Sequence, residues 1–337
     1  MKDSTVLVHL IRGPLLESLH RGHAAVVDNE GRLLYSAGNP DTVTFARSSA
    51  KPLQALPVLE SGAARRFGIT PKEIALLCAS HNGEEEHIDT AAGLLAKLGL
   101  GEEALQCGPH DPFRPAAARK LAEQGRKPSR LHNNCSGKHS GMLALSLQLG
   151  APVDTYMETD HPVQRLMLET VASMSGTATD RIPLGTDGCG VPVFGLALTS
   201  LARAFARLGK PDGLADARRD ACLQVLDALR SHPFQLAGTD RYDTRLIEVT
   251  GGRIIGKMGA EGVFALTVPE HGIGLALKVE DGAARALYPA VTEALKQADL
   301  LRPAELEALA SFHKPDVTNW AGRVVGRIEP VLQLQKA

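Results

Sequence analysis

The stretch RIIGKMGAEGVFALTVPEHGIGLALKV, residues 253–279, reads as short apolar runs cut by Gly-rich turns. Arg253–Lys257, Gly262–Val268 and Ile273–Val279, with Leu246–Thr250 ahead of Gly251-Gly252, have the length and punctuation of an antiparallel meander. The same texture occurs near the start of the chain, where Ala24–Asp28 and Arg32–Ser36 flank Asp28-Asn29-Glu30-Gly31, a composition that predicts a hairpin turn. Between roughly residues 48 and 230 the apolar spacing turns helical, as in Thr90–Leu98, Ala116–Gln124, Gly141–Leu149, Val163–Ser173 and Ala215–Leu229; Ala283–Ala298 adds a helix after the meander. Strands at both ends with helices between predict an α+β fold. Its antiparallel sheet is formed from both chain ends and flanked by helices, and the middle of the chain makes a helical lobe. We expect a single catalytic unit over 1–337, with a sheet lobe at approximately 1–47 and 235–337 and a helical lobe at approximately 48–234. No internal repeat, low-complexity tract or flexible linker interrupts it.

The chain's 337 residues, 44% of them hydrophobic, suffice for a large core. Its 37 Lys+Arg nearly balance 38 Asp+Glu. No overall field therefore draws it to nucleic acid or an anionic membrane, and a small neutral or zwitterionic ligand is the better expectation. The apolar stretch Val6–Ile11 is broken by His9 and ends at Arg12, unlike a signal segment. No run approaches the roughly 20 apolar residues of a membrane span. Five scattered cysteines, an odd number, argue for a reducing compartment, and the expected location is cytoplasmic.

Chemistry concentrates in a few places. Ser48 and Lys51 form Ser-x-x-Lys, a spacing that puts both side chains on one face of a helix. A serine needs a neighbouring base, and a buried lysine near a second cation gives up its proton more readily. Pro52 suits the first turn of a helix starting near Ser48, although the residue before a proline is biased away from helical angles. If the helix starts there, its positive end favours negative charge developing at the reacting atom. Alternatively, Ser48 simply caps the helix. Ala75–Ala79 is a strand- or helix-like run leading into Ser80-His81-Asn82-Gly83, and Lys257-Met258-Gly259 ends a strand. Ser-x-x-Lys, Ser-x-Asn and Lys-x-Gly in that order form the three-part pattern of penicillin-recognising serine hydrolases, a layout shared by serine-dependent glutaminases. Met258 replaces the usual threonine of the third part.

The densest polar cluster is His132-Asn133-Asn134-Cys135-Ser136-Gly137-Lys138-His139-Ser140-Gly141, and Thr186-Asp187-Gly188-Cys189-Gly190 is a second Gly-rich turn. Cys135 and Cys189 are two thiolate donors for Zn²⁺, with nitrogen from Lys138 or His139 as a third. Ordinary zinc chemistry prefers His139, since a lysine must first lose its proton. The rival reading makes both cysteines buried apolar residues.

Taken together, these segments resemble the asparaginase II family typified by the rhizobial asparaginases. The resemblance rests on Arg47–Gln54, Ala79–Gly83, Asn134–His139, Gly185–Gly190, Gly238–Arg241, Gly256–Gly262 and Asn319–Gly322, and so covers nearly the whole chain. It implies a fold similar to serine β-lactamases and glutaminases, a homodimer, and hydrolysis of L-asparagine to L-aspartate and ammonia. It further implies Ser48 as nucleophile with Lys51 as base, Ser80 and Lys257 as a second Ser/Lys pair, and zinc held by Cys135, Lys138 and Cys189 in place of His139. By their position in the motifs, Arg47 and Asp187 are candidates for the substrate's α-carboxylate and α-ammonium, with Arg241 a further candidate; Arg47 and Asp187 are equally open to forming a structural ion pair. Rival readings are a glutaminase, a β-lactamase-like hydrolase, a zinc-water hydrolase, and a non-catalytic zinc- or amino-acid-binding protein.

Overall fold

A computed structural model describes residues 3–337. Among them run twelve strands: β1 Thr5–Arg12, β2 Leu15–Asp28, β3 Leu33–Ala37, β4 Val43–Phe45, β5 Leu184–Thr186, β6 Pro192–Ala197, β7 Ile255–Gly259, β8 Val263–Val268, β9 Ile273–Val279, β10 Asp316–Thr318, β11 Val324–Pro330 and β12 Gln335–Lys336. The chain divides into two compact units. No helix among the described residues is long and apolar enough to cross a membrane.

The first unit comprises the described residues up to Ser49, Gly195–Lys210 and Arg245–Ala337. Its sheet follows the order β10-β11-β1-β2-β9-β8-β7, with β3 and β12 joined beside the second half of β2. Every pairing in it is antiparallel. Both chain ends thus contribute to one sheet, as the sequence predicts. The β2–β3 hairpin forms where expected, and the Asp28 carboxylate shapes its turn by accepting the Glu30 and Arg32 amides at 3.0 and 2.9 Å. Strands β1, β10 and β11, which extend the sheet beyond the first half of β2, carry no such signal in the sequence. One predicted strand is wrong: Leu246–Thr250 lies largely in the helix Tyr242–Val249. Within it Leu246 and Ile247 are buried, a spacing too short to separate the two periods.

Helix Leu198–Gly209 packs on β9, β2 and β8 with Leu198, Leu201, Ala202, Phe205 and Leu208 inaccessible. Its apolar stripe is core in this unit. Two glycines make the close approach possible. A Cβ on Gly274 of β9 would stand 1.9 Å from the Ala202 carbonyl oxygen, and one on Gly209 the same distance from Thr267 Oγ1.

The second unit, Ala50–Phe194 with Pro211–Thr244, is mainly helical. Helix Lys51–Glu60 is its core element, buried at every position from Lys51 to Leu59. Helices Ser136–Leu149, Pro162–Ser175 and Asp216–Ser231 pack around it. A helix apolar or buried all round belongs at the centre of such an assembly. The run leading to Ser80, ambiguous in sequence, is the helix Pro71–Leu77. Thr70 caps it reciprocally with Glu73, which fixes its start.

Candidate functional site

In the second unit the Ser80 segment runs beside Leu236–Ala237, with the Ser80 amide donating to the Leu236 carbonyl at 3.0 Å and the Asn82 amide to that of Ala237 at 2.9 Å. Lys51, wholly inaccessible, sends Nζ to the Ala79 carbonyl at 2.5 Å and to Ser80 Oγ at 2.9 Å. A buried amine is tolerable only with such partners. Arg241 donates to Asn82 Oδ1 at 2.9 Å and to the Ser80 carbonyl at 3.4 Å, so its guanidinium braces this segment. His81 accepts the Gly83 amide at Nδ1, 3.1 Å, which leaves Nε2–H to donate to Ser136 Oγ at 2.9 Å. Complete burial holds the ring far below the usual histidine range, and the neighbouring His87 and Lys51 add to this. A neutral His81 therefore ties the Ser80 segment to the start of helix Ser136–Leu149.

That helix presents Lys138 on its first turn, directly after Cys135. Gly137 is required there, because a Cβ would lie 2.2 Å from the Leu76 carbonyl oxygen. Asn133 shapes the approach: Nδ2 donates to the Cys107 and Gly108 carbonyls at 2.8 and 2.9 Å while Oδ1 accepts the Cys135 amide at 2.9 Å. Facing it is the hairpin formed by β5 and the first half of β6. The Asp187 amide donates to the Val191 carbonyl at 2.8 Å and the Gly190 amide to that of Asp187 at 2.9 Å. Gly190 has a φ of +93°, a value that side-chain-bearing residues rarely adopt.

Lys138, Asp187 and Cys189 therefore meet. Lys138 Nζ is 2.9 Å from Cys189 Sγ and 3.9 Å from Asp187 Oδ2, and Cys189 Sγ is 3.7 Å from the same oxygen. A hydrogen bond from the Cys135 thiol, aided by the Lys138 charge, overcomes burial and brings Cys189 down to about 5. Cys135, which gives that hydrogen bond and is buried, is pushed up to about 12. Burial disfavours a charged Lys138, but Cys135, Cys189 and Asp187 outweigh it and raise the amine above its ordinary value. His139 is engaged elsewhere, Nδ1 lying 2.7 Å from Tyr156 Oη; burial, with the Lys138 charge, lowers it to about 3.

Among the described residues no group of three or more His, Cys, Asp or Glu side chains is placed to hold a metal. The Lys138 amine adds a nitrogen to the two thiols, and this S₂N set suits the chemistry of zinc. Cys107 Sγ meets the Arg130 carbonyl at 3.8 Å, and burial foremost, with Cys135 and Cys189 adding to it, raises this thiol to about 12.

The remaining predicted residues lie in the first unit or on the turn leading out of it. Ser48 sits on the 3₁₀ turn Arg47–Ala50, which continues into helix Lys51–Glu60, and is 9% exposed. Ser49 anchors the turn, donating from N and Oγ to the Ala46 carbonyl at 3.1 and 2.7 Å. Gly259, at the end of β7, lets that strand press against the turn: a Cβ there would stand 2.7 Å from the Ala46 carbonyl oxygen and 3.3 Å from the Ser49 amide nitrogen. Lys257, two residues earlier, is 1% exposed and donates to the Met258 carbonyl at 2.8 Å. Arg47 has a φ of +50° and faces Glu261 at 4.0 Å.

A search of curated proteins found no match. Among solved structures, the chain is similar to Mglu in its native form at 4.3 M NaCl, with 14% identity and a TM-score of 0.45; the alignment covers 84% of this chain and 62% of that one. It is also similar to a β-lactamase from Mycobacterium bovis, with 16% identity, a TM-score of 0.45 and coverage of 83% and 95%. A putative β-lactamase from Bacteroides dorei gives 13% identity, a TM-score of 0.41 and coverage of 82% and 93%. The chain thus spans 62% of the first Mglu chain it matches. The sequence profile of the L-asparaginase II family matches residues 8–330, nearly end to end, and the chain belongs to that family.

Proposed function

We propose that this protein hydrolyses L-asparagine to L-aspartate and ammonia through a lysine-activated serine. The observation that carries the reading is the buried contact of Lys51 Nζ with Ser80 Oγ at 2.9 Å, one turn along the chain from Ser48. An amine buried against a serine hydroxyl can shuttle a proton that an exposed lysine would exchange with water. In the proposed sequence Ser48 Oγ attacks the side-chain amide carbon as its proton passes to the lysine–serine network of Lys51, Ser80 and Lys257. The network returns that proton to the amide nitrogen, the C–N bond breaks, ammonia leaves, and an ester to Ser48 remains. Water then cleaves the ester, freeing aspartate and restoring the hydroxyl. Arg47 receives the α-carboxylate and Asp187 the α-ammonium.

Zinc enters as a proposal for Cys135, Lys138 and Cys189, with Asp187 close by. When bound, it would supply positive charge that orients a substrate or orders the two loops. The proposal includes a homodimer, which sedimentation velocity would test.

The same contact also favours a second assignment, since Lys51 donates to Ser80 itself. Ammonia release from L-asparagine and L-glutamine by wild type, Ser48→Ala and Ser80→Ala, with zinc measured on each sample, separates these readings. Asparagine turnover abolished in Ser48→Ala supports the proposal. Full turnover in Ser48→Ala with loss in Ser80→Ala moves the nucleophile to Ser80. A zinc-loaded wild type that releases no ammonia overturns the asparaginase reading. A pocket distinguishes one methylene by only about 1–3 kcal/mol, so the glutamine comparison sets selectivity by measurement.

A further inference from the structure

Glu261 is an acidic residue in an unusual place. It lies in the turn between β7 and β8, four residues after Lys257, with a φ of +61°. Arg47, beside Ser48, has a φ of +50°, so two residues without glycine's freedom hold left-handed backbone conformations and bring their charges together. Such conformations persist where the surroundings over-determine them. Here Lys278 of β9, 7% exposed, donates Nζ to the Glu261 carbonyl at 2.6 Å and also to the Val279 and Glu280 carbonyls. The Val279 amide donates to the Gly262 carbonyl at 2.8 Å. A Cβ on Gly282 would stand 2.9 Å from Glu261 Oε2, so the glycine leaves room for the carboxylate. The backbone of Glu261 is clamped and its side chain is presented to Arg47.

The pair itself is loose. The Arg47 side chain is 23% exposed and that of Glu261 70%, and the separation of 4.0 Å exceeds the roughly 2.7–2.9 Å of a charge-assisted hydrogen bond. An exposed carboxylate at that distance gives way to a ligand carboxylate that engages the guanidinium in bidentate fashion.

We propose that Glu261 is an internal carboxylate on Arg47 which the α-carboxylate of an amino-acid ligand must displace, making Glu261 a determinant of affinity for such ligands. This rests on the reading that Arg47 receives the α-carboxylate. The competition reduces apparent affinity by the fraction of molecules in which Arg47 is engaged by Glu261.

Titration calorimetry with L-aspartate tests it on wild type, Glu261→Gln, Arg47→Gln and the double variant, all as full chains. Glu261→Gln should tighten aspartate binding about fivefold to tenfold, and the same change in the Arg47→Gln background should give no gain. Unchanged affinity in Glu261→Gln overturns the inference. So does an equal gain without Arg47, which would mean simple charge repulsion, and so does absence of aspartate binding in both wild type and Glu261→Gln. Turnover plays no part in this readout. A chain that shows the Arg47-dependent gain but releases no ammonia keeps the inference and loses the asparaginase reading; ammonia release with unchanged aspartate affinity does the reverse.

Discussion

Cys189 combines a thiol-to-thiol hydrogen bond, a lysine at 2.9 Å and near-complete burial. An anionic sulfur in this setting is matched by Lys138 when no other cation is present, and a divalent metal would take over that role while removing protons from Cys135 and Lys138. Cys189→Ser and Lys138→Met should each lower zinc affinity by at least tenfold, measured by competition with a chromophoric chelator, whereas His139→Phe should leave it within about threefold. Unaltered zinc affinity in Cys189→Ser would remove the metal proposal. The cysteines and Lys138 were legible because long motifs singled them out. Ordinary ligand preference favours the imidazole and gives no sign that Lys138 meets Cys189 while its neighbour His139 meets Tyr156. What places them differently is helix geometry: adjacent residues point about 100° apart, and the one facing inward to Tyr156 is His139. Arg241 shows the opposite limit. Its motif made it a weaker candidate for substrate, and the structure adds contacts of Nη1 with the Ser80 carbonyl and Asn82 Oδ1, long-range contacts that no local pattern reports.

At the scale of elements, glycine has two opposite meanings that sequence alone does not separate. Gly274 is needed so that helix Leu198–Gly209 can lie on β9, since its Cβ would meet the Ala202 carbonyl oxygen at 1.9 Å. Gly274→Ala must displace that helix and should cost about 3 kcal/mol. Gly93, inside helix Glu85–Lys97, has no atom within 4 Å of its would-be Cβ. Gly93→Ala should stabilise by roughly 0.5–1 kcal/mol through helix propensity. Urea midpoints at constant slope would check both, and equal effects of one sign would refute the distinction. Ala283–Ala298 was legible to within a residue of the helix Ala284–Gln297, whereas Thr90–Leu98 and Gly141–Leu149 each missed the first five residues of Glu85–Lys97 and Ser136–Leu149, where polar and glycine residues hide the periodicity. Tyr242–Val249 was lost because its apolar residues fall in a short cluster. The pairing of β1 with β11 joins the two chain ends and was not legible, although β1 also pairs with its neighbour β2 and β11 with β10.

For the whole molecule, acid neutralises the 38 Asp+Glu and leaves a large positive charge on wild type and variants alike, so the share of a particular carboxylate is read as a difference between them. Glu293, on helix Ala284–Gln297, is the clearest of them. Burial pushes its carboxyl upward, but hydrogen bonds from His313 at 2.7 Å, Gln297 at 2.9 Å and Lys296 at 3.2 Å prevail and hold it at about 2. An unfolded glutamate titrates near 4.3, so the unfolded chain binds this proton first as pH falls. The resulting stabilisation is fully present above about pH 4.3 and is lost as pH drops through 2; the shift corresponds to on the order of 3 kcal/mol. That contribution joins helix Ala284–Gln297 to the C-terminal stretch, where His313 ends the helix Ala310–His313 ahead of β10. Glu293→Gln should therefore be less stable than wild type at pH 7, and the gap should narrow steadily between pH 5 and pH 2. Guanidinium unfolding at several pH values measures it: a gap that stays constant over that range would show that the Glu293 network contributes packing without proton linkage.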